Sequence, residues 1–308
     1  MIKTKPNLTG LISAPFTPMD KNGAVNLMII DDYVDYLTEN NVNGAFICGT
    51  TGESASLTTE ERMAIAERWV GATKGRIKII VHVGGTSLPQ SKALASHAQK
   101  IGADCIAAMA PYFFKPASVS LLINYMQPVA ASAPKLPFYY YNMPSITGVD
   151  LPVDQFLMMA DKRIPNLAGV KYTHTNLKEM QLCLNTCNKK FEILNGFDEI
   201  LITGLAIGAK AAVGSTYNYM PFVYLNIMKA MEEGDMERAR YYQMLAINAM
   251  EVIFKYGGGV RAGKAAMSLT GVDCGPCRLP LEPFGNEEYD MLKKELESIG
   301  FFGVPYRQ

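Results

Sequence analysis

The sequence predicts an α/β fold, a closed (β/α)8 TIM barrel with a C-terminal helical extension. Three observations predict it. Short apolar segments of β type recur eight times and alternate with longer amphipathic stretches. Each of these segments is apolar throughout, as a parallel strand covered on both faces must be. Their spacing is regular and no GxGxxG follows the first of them, which disfavours the open doubly wound sheet that fits the same alternation. The length of 308 residues suits one such barrel with decoration, since the barrel itself needs about 250 residues.

Taken in order, the strands are expected at 10–17, 44–48, 77–83, 105–110, 138–142, 168–173, 191–196 and 211–215. Between them the helix at 58–72 carries Thr58, Thr59 and Glu60 near its start, and the helix at 89–101 stops at Gly102. Hydroxyl side chains before a helix cap its orphan amides, and glycine just after it accepts a left-handed turn. After the eighth strand the chain reads as helices at 221–233, 235–256, 261–269 and 287–298. The first is the last barrel helix. The barrel is therefore expected over 1–233 and the extension over 234–308, within a single domain 1–308, because no linker separates the two.

Composition narrows the function. Lys+Arg and Asp+Glu each number 29, so the net charge is zero and there is no basic excess for nucleic acid or an anionic membrane surface. No apolar run approaches the roughly 18 residues of a membrane span. The start of the chain, Met1-Ile2-Lys3-Thr4-Lys5-Pro6, has no apolar segment after its charges and does not read as a secretory leader. Six cysteines are too few for a disulfide scaffold. The expectation is a cytoplasmic or otherwise reducing location.

In a barrel of this kind, chemistry sits at the C-terminal ends of the strands. The second strand ends in Cys48-Gly49-Thr50-Thr51-Gly52-Glu53. Two glycines around two adjacent hydroxyls suit the binding of one anion, such as a carboxylate, or an ordinary strand–helix turn. The fifth ends in Tyr139-Tyr140-Tyr141-Asn142-Met143-Pro144. Tyr139 and Tyr141 share one face, to relay protons at the mouth or simply to pack. The sixth runs Ala168-Gly169-Val170-Lys171-Tyr172-Thr173. An ammonium is costly inside an apolar barrel, and desolvation lowers a lysine pKa towards the neutral amine that carbonyl addition needs. A salt-bridged or snorkelling lysine is the bland reading. The seventh ends in Asn195-Gly196-Phe197-Asp198-Glu199, whose carboxylates either stabilise a helix start or accept hydrogen bonds from a polyol. The eighth ends in the small, hydroxyl-rich Gly214-Ser215-Thr216-Tyr217-Asn218.

Two other features are weaker. Cys274-Gly275-Pro276-Cys277 has thioredoxin-type spacing, but Arg278-Leu279-Pro280-Leu281-Glu282-Pro283 after it resists the helix that such a pair requires. The histidines at 82, 97 and 174 lack zinc spacing. His174, near Lys171, reads as a base or a loop residue.

Together these segments resemble the N-acetylneuraminate lyase / dihydrodipicolinate synthase family, nearly end to end. Gly49-Thr50-Thr51-Gly52-Glu53 looks like its pyruvate-carboxylate loop, Tyr141-Asn142-Met143-Pro144 like its Tyr-Asn-x-Pro strand end, and Gly169-Val170-Lys171 like its Schiff-base lysine strand. The lyase branch fits best, on 138–142, 196–199, 214–219 and 277–281. The synthase branch has an aldehyde-carboxylate arginine two positions after the motif's proline, where this chain has Ile146, unable to make a bidentate contact. Many relatives also carry a second tyrosine, reaching a neighbouring subunit, where Phe113 stands, so that relay role is not assigned.

The resemblance implies a Schiff-base aldolase that cleaves N-acetylneuraminate (sialic acid) reversibly to pyruvate and N-acetylmannosamine. It implies Lys171 as nucleophile, Tyr141 as proton shuttle and Thr173 as its support. Thr50 and Thr51 would hold the carboxylate, and Gly196, Asp198, Glu199 and Ser215 the sugar chain. No metal or organic cofactor is expected. The partners implied are the small-molecule substrate and further copies of the chain in a homotetramer. Alternatives are a relative acting on another aldehyde, such as a 2-keto-3-deoxy sugar acid, a barrel that has lost catalysis, and an oxidoreductase. The second predicts a broken lysine or tyrosine position and the third a glycine-rich phosphate loop; the sequence has neither.

Overall fold

A computed structural model describes residues 6–303. Residues 1–5, most of the start of the chain discussed above, and 304–308, the end of the expected extension, lie outside the described residues. Eight parallel strands close into a barrel in sequence order: β1 Gly10–Ser13, β2 Gly44–Ile47, β3 Lys78–His82, β4 Cys105–Met109, β5 Phe138–Asn142, β6 Leu167–Tyr172, β7 Glu192–Asn195 and β8 Ala211–Gly214. β1 pairs with both β2 and β8, which completes the ring. Every expected strand is present. The first is shorter than 10–17: Ala14 still donates to the Gly214 carbonyl at 2.8 Å, but Pro15 has no N–H and the ladder ends there.

The surrounding helices are α1 Ile29–Glu39, α2 Thr59–Thr73, α3 Leu88–Lys100, α4 Val119–Ala131, α5 Pro144–Thr147, α6 Val153–Ala160, α7 Leu177–Lys189, α8 Leu201–Ala206 and α9 Pro221–Glu232. α10 Met236–Lys255, α11 Gly258–Ser268 and α12 Asn286–Ser298 follow the barrel. The boundaries obey local chemistry. Thr58 and Glu61 form a reciprocal capping box at the start of α2. Ser87 accepts from the Gln90 amide, so α3 starts one residue before Pro89. Gly102 follows α3 at φ +88°. α11 starts at Gly258, three residues before the expected 261, behind Gly257 at φ +97°.

Two apolar clusters divide the interior. The strand interiors contribute Ile12, Phe46, Ile80, Met109, Tyr139, Tyr141 and Leu194 to one. Their outward residues join the helices in the other, larger one, where Tyr140 lies 4.7 Å from the Phe156 ring of α6. Period-two alternation thus splits the tyrosine run, with Tyr139 and Tyr141 inside and Tyr140 outside. Buried residues of α10 and α12, among them Met250, Ile253 and Leu292, share the outer cluster with the barrel helices.

Candidate active site

The barrel register sets two of the chemistry-bearing residues side by side: Tyr141 on β5 pairs with Lys171 on β6. Both point inward at the C-terminal mouth. Lys171 is 4 % exposed. Its Nζ stands 4.3 Å from the ring centroids of Phe46 and of Tyr141, over the electron-rich faces of both. Burial pulls its pKa down to about 7, against a smaller opposing pull from the Asp198 charge. A lysine at the ordinary value near 10.4 is almost wholly protonated at neutral pH, whereas here a large share is free amine.

Tyr141 is also buried, and desolvation pushes its phenol up to about 12, so it stays protonated. Its hydroxyl donates to the Met143 thioether at 2.9 Å and lies 3.4 Å from Thr50 Oγ1. Thr50 sits in the loop after β2, whose two ends, Cys48 and Glu53, both take left-handed backbone (φ +55°). The loop is tied down from outside. Thr17 donates to the Gly52 carbonyl at 2.7 Å. Glu53, which does not line the cavity, accepts from the Arg278 amide at 2.9 Å and forms a buried ion pair with Lys264 at 2.7 Å.

Asp198 follows β7. One carboxylate oxygen, Oδ2, accepts from both the amide and the hydroxyl of Thr216, at 3.1 and 2.6 Å. The other, Oδ1, is buried with no protein donor, and so is the Thr173 hydroxyl. Two glycines make room for these atoms. A Cβ on Gly214 would fall 1.9 Å from Asp198 Oδ1, and one on Gly196 would fall 2.1 Å from Thr173 Oγ1. Burial raises the Asp198 pKa, with the Thr216 bonds opposing, and raises that of Glu199, with the Asp198 charge adding to the effect.

All nine residues singled out from the sequence line one cavity of about 380 Å³: Thr50, Thr51, Tyr141, Lys171, Thr173, Gly196, Asp198, Glu199 and Ser215. A larger cavity of about 510 Å³ lies beside α11. It holds no reactive amine, because its cations are consumed internally: Arg261 pairs with Glu288 and Lys264 with Glu53. His174 accepts from the Asn176 amide at 2.8 Å ahead of α7 and does not line the site cavity, so the loop reading holds. Ile146 is exposed on α5. Burial pushes the thiols of Cys274 and Cys277 up to about 12 and 11, the reverse of the depressed value a redox pair needs.

Several contributors went unread in the sequence. Phe46 has an inward position on β2 that alternation alone reveals. Thr216, within the hydroxyl-rich eighth strand end, orients Asp198; Phe254 and Val260, which wall the cavity from α10 and α11, carry no local signal. Nor does Gln243 of α10, which donates to the Asp198 carbonyl at 3.1 Å.

A closed parallel barrel with a desolvated lysine at its mouth, beside a protonated phenol and an apolar-walled cavity with unpaired hydrogen-bonding atoms, defines a class: barrels equipped for amine attack on a carbonyl. Comparison with known proteins sharpens it. The model of the dihydrodipicolinate synthetase family matches residues 7–299, and the chain belongs to that family. It is 43% identical over 299 residues to the N-acetylneuraminate lyase of Gallus gallus, covering 96% of this chain and 97% of that one. The solved N-acetylneuraminate lyase of Aliivibrio salmonicida superposes with a TM-score of 0.93 at 42% identity, covering 96% of this chain and 97% of that one. That of Proteus mirabilis gives 0.93 at 39%, covering 96% and 99%.

Proposed function

We propose that this chain is a sialic acid aldolase that cleaves N-acetylneuraminate to pyruvate and N-acetylmannosamine through a Schiff base on Lys171. The observation that carries the chemistry is the buried, partly neutral Lys171 paired in register with Tyr141. The observation that supports the substrate is the identity, over nearly the full length, to proteins named N-acetylneuraminate lyase.

Free Lys171 Nζ adds to the C2 ketone of the open-chain sugar acid, with Thr50 and Thr51 holding the adjacent carboxylate. The phenol of Tyr141 supplies the proton with which the carbinolamine oxygen leaves as water, and an iminium forms. Tyr141, now an oxyanion beside that cation, takes the proton of the C4 hydroxyl. The C3–C4 bond breaks, its electron pair moves into the iminium, and the aldehyde of N-acetylmannosamine departs from the pyruvate enamine. Protonation at C3 and hydrolysis release pyruvate and restore the amine. Thr173 Oγ1 and Asp198 Oδ1, two of the six buried side-chain atoms without a hydrogen-bond partner among the described residues and the two whose residues line the cavity, receive substrate hydroxyls; native structures rarely leave such atoms unpaired without a reason. Glu199 and Ser215, at the Gly196 and Gly214 turns, take the rest of the polyol chain.

The reading extends to a homotetramer in the cytoplasm, built from single-domain chains 1–308. The exposed Phe113 and Phe114, stacked edge to face at 5.0 Å, supply apolar surface for a neighbour, and the buried thiols of Cys48, Cys183 and Cys274 are uncrosslinked.

The experiment has two arms. Borohydride reduction in the presence of pyruvate, followed by peptide mass mapping, is expected to place the adduct on Lys171, and Lys171→Ala to abolish it. N-acetylneuraminate is expected to release pyruvate. An adduct without cleavage would keep the chemistry and reject the substrate.

A further inference from the structure

His82, at the end of β3, takes no part in the mechanism above, yet it is 1 % exposed and lies inside the barrel against the groups that do. Its Nδ1 is 2.9 Å from the Cys48 carbonyl oxygen. A carbonyl only accepts, so Nδ1 carries the hydrogen. Nε2 accepts from the Met109 amide at 3.4 Å. Both nitrogens are therefore occupied and the tautomer is set, which rules the ring out as a proton carrier.

Its two sets of contacts lead to different parts of the site. The bonded carbonyl belongs to Cys48, whose left-handed backbone begins the loop carrying Thr50 and Thr51. Such a conformation strains a residue with a Cβ, so it persists only where its surroundings hold it. The ring itself meets Tyr141 edge to face, 5.7 Å between centroids at 89°, and lies 5.9 Å from Phe46. Those two rings are the ones that flank Lys171 Nζ. On the opposite side Gly84 leaves room for the ring and for the amide that bonds it: a Cβ there would fall 2.7 Å from the Met109 nitrogen and 2.9 Å from His82 Nε2. Behind it, the Arg62 guanidinium donates to the His82 carbonyl at 2.7 Å. Burial, reinforced by that charge, keeps the imidazole neutral at any pH at which Lys171 works.

We propose that His82 is a positioning residue: a single ring fixes the start of the carboxylate-binding loop through the Cys48 carbonyl and fixes the Tyr141 phenol beside Lys171 by edge-to-face packing. The proposal rests on the assignment of Lys171, Tyr141 and the Thr50–Thr51 loop made above.

Two variants of the full chain separate the two functions. His82→Phe keeps a ring and removes the donor. It is expected to weaken pyruvate binding, read from the concentration dependence of borohydride trapping, by about tenfold, with the limiting trapping rate within about twofold of wild type. His82→Asn keeps a donor of similar reach and removes the ring. It is expected to lower kcat for N-acetylneuraminate cleavage about tenfold, with pyruvate affinity within about twofold. A residue that merely fills the core would lower the melting temperature and leave both parameters unchanged, or shift both equally in both variants; either result overturns the proposal. Gly84→Ala keeps the ring but crowds both it and the Met109 amide that bonds it, and is expected to weaken pyruvate binding. Unchanged kinetics in that variant overturn the proposal even where the His82 variants are too unstable to purify. Wild-type protein that forms no pyruvate adduct would instead refute the reaction on which the proposal stands.

Discussion

The two ends of the barrel interior use the same kinds of side chain to different ends. At the bottom, Tyr139 donates to Glu192 at 2.6 Å, and Glu192 also accepts from the Leu8 amide at 3.4 Å. The phenol and the carboxylate satisfy each other, and the polar plug is closed. At the mouth, two residues along the same strand, Tyr141 bonds a thioether and lies 3.4 Å from a threonine hydroxyl, with no carboxylate to satisfy it. Around it, among the described residues, Thr173 Oγ1 and Asp198 Oδ1 have no hydrogen-bond partner, and Lys171 Nζ faces the Phe46 and Tyr141 rings. Buried polar atoms cost free energy when left unmade. The bottom meets that cost within the protein, and the mouth leaves it for a ligand to meet. What marks the site is thus unmet hydrogen-bonding capacity, since polar residues inside the barrel occur at both ends.

Exchange of the two tyrosines breaks the comparison most directly. Tyr141→Phe is expected to slow N-acetylneuraminate cleavage by roughly 10²–10⁴ with little change in melting temperature. Tyr139→Phe is expected to leave kcat/KM near wild type and to cost about 1–3 kcal/mol of stability in denaturant titrations, because Glu192 loses a buried donor. Reversed outcomes would assign catalysis to the wrong end. Asp198→Asn, which alters an unpaired acceptor at the mouth, is expected to raise KM for N-acetylneuraminate about 10–100-fold while pyruvate trapping proceeds at the wild-type rate. Loss of trapping as well would show that Asp198 serves the lysine and not the sugar.

The pH dependence of trapping is a smaller effect. Attack requires the free amine, whose pKa lies at about 7. The trapping rate is expected to fall nearly tenfold for each pH unit well below that value and to level off above it. An inflection near 10 would mean that Lys171 is not desolvated in solution. The same shift has a consequence for stability. Between pH 7 and the ordinary lysine range near 10.4, the unfolded chain binds a proton that the folded chain does not, so this group makes stability rise with pH across that window. The penalty is largest at and below about pH 7. Lys171→Met removes it and is expected to stabilise the protein by roughly 1–2 kcal/mol at pH 6.5, with a smaller gain at pH 10. Calorimetry at the two pH values checks both the sign and the window.

Much of this is legible in the sequence alone. The strand positions follow because a parallel strand covered on both faces must be apolar along its length, and that is a local property of eight short segments. The chemistry-bearing residues follow because a barrel exposes only the strand ends after which its loops begin. Thr50, Thr51, Tyr141, Lys171 and Asp198 stand there, and the structure gathers all of them. The inward face of Tyr141 and the outward face of Tyr140 follow from period two. Phe46 obeys the same rule and was passed over only because a phenylalanine carries no chemistry of its own.

The sequence by itself therefore determined the barrel, the strand ends and the identity of the groups at them, since each depends on residues within a few positions of one another. Only the tertiary structure decided which of those groups are left unpaired. The partner of Asp198 Oδ2 is Thr216, on another strand end; the Asp198 backbone is held by Gln243, from the extension; and the carbonyl that His82 bonds belongs to Cys48, in the loop after β2. Such pairings are set by barrel closure and register between segments far apart in the chain. No local pattern records them, because the free energy that selects them exists only once the ring has closed.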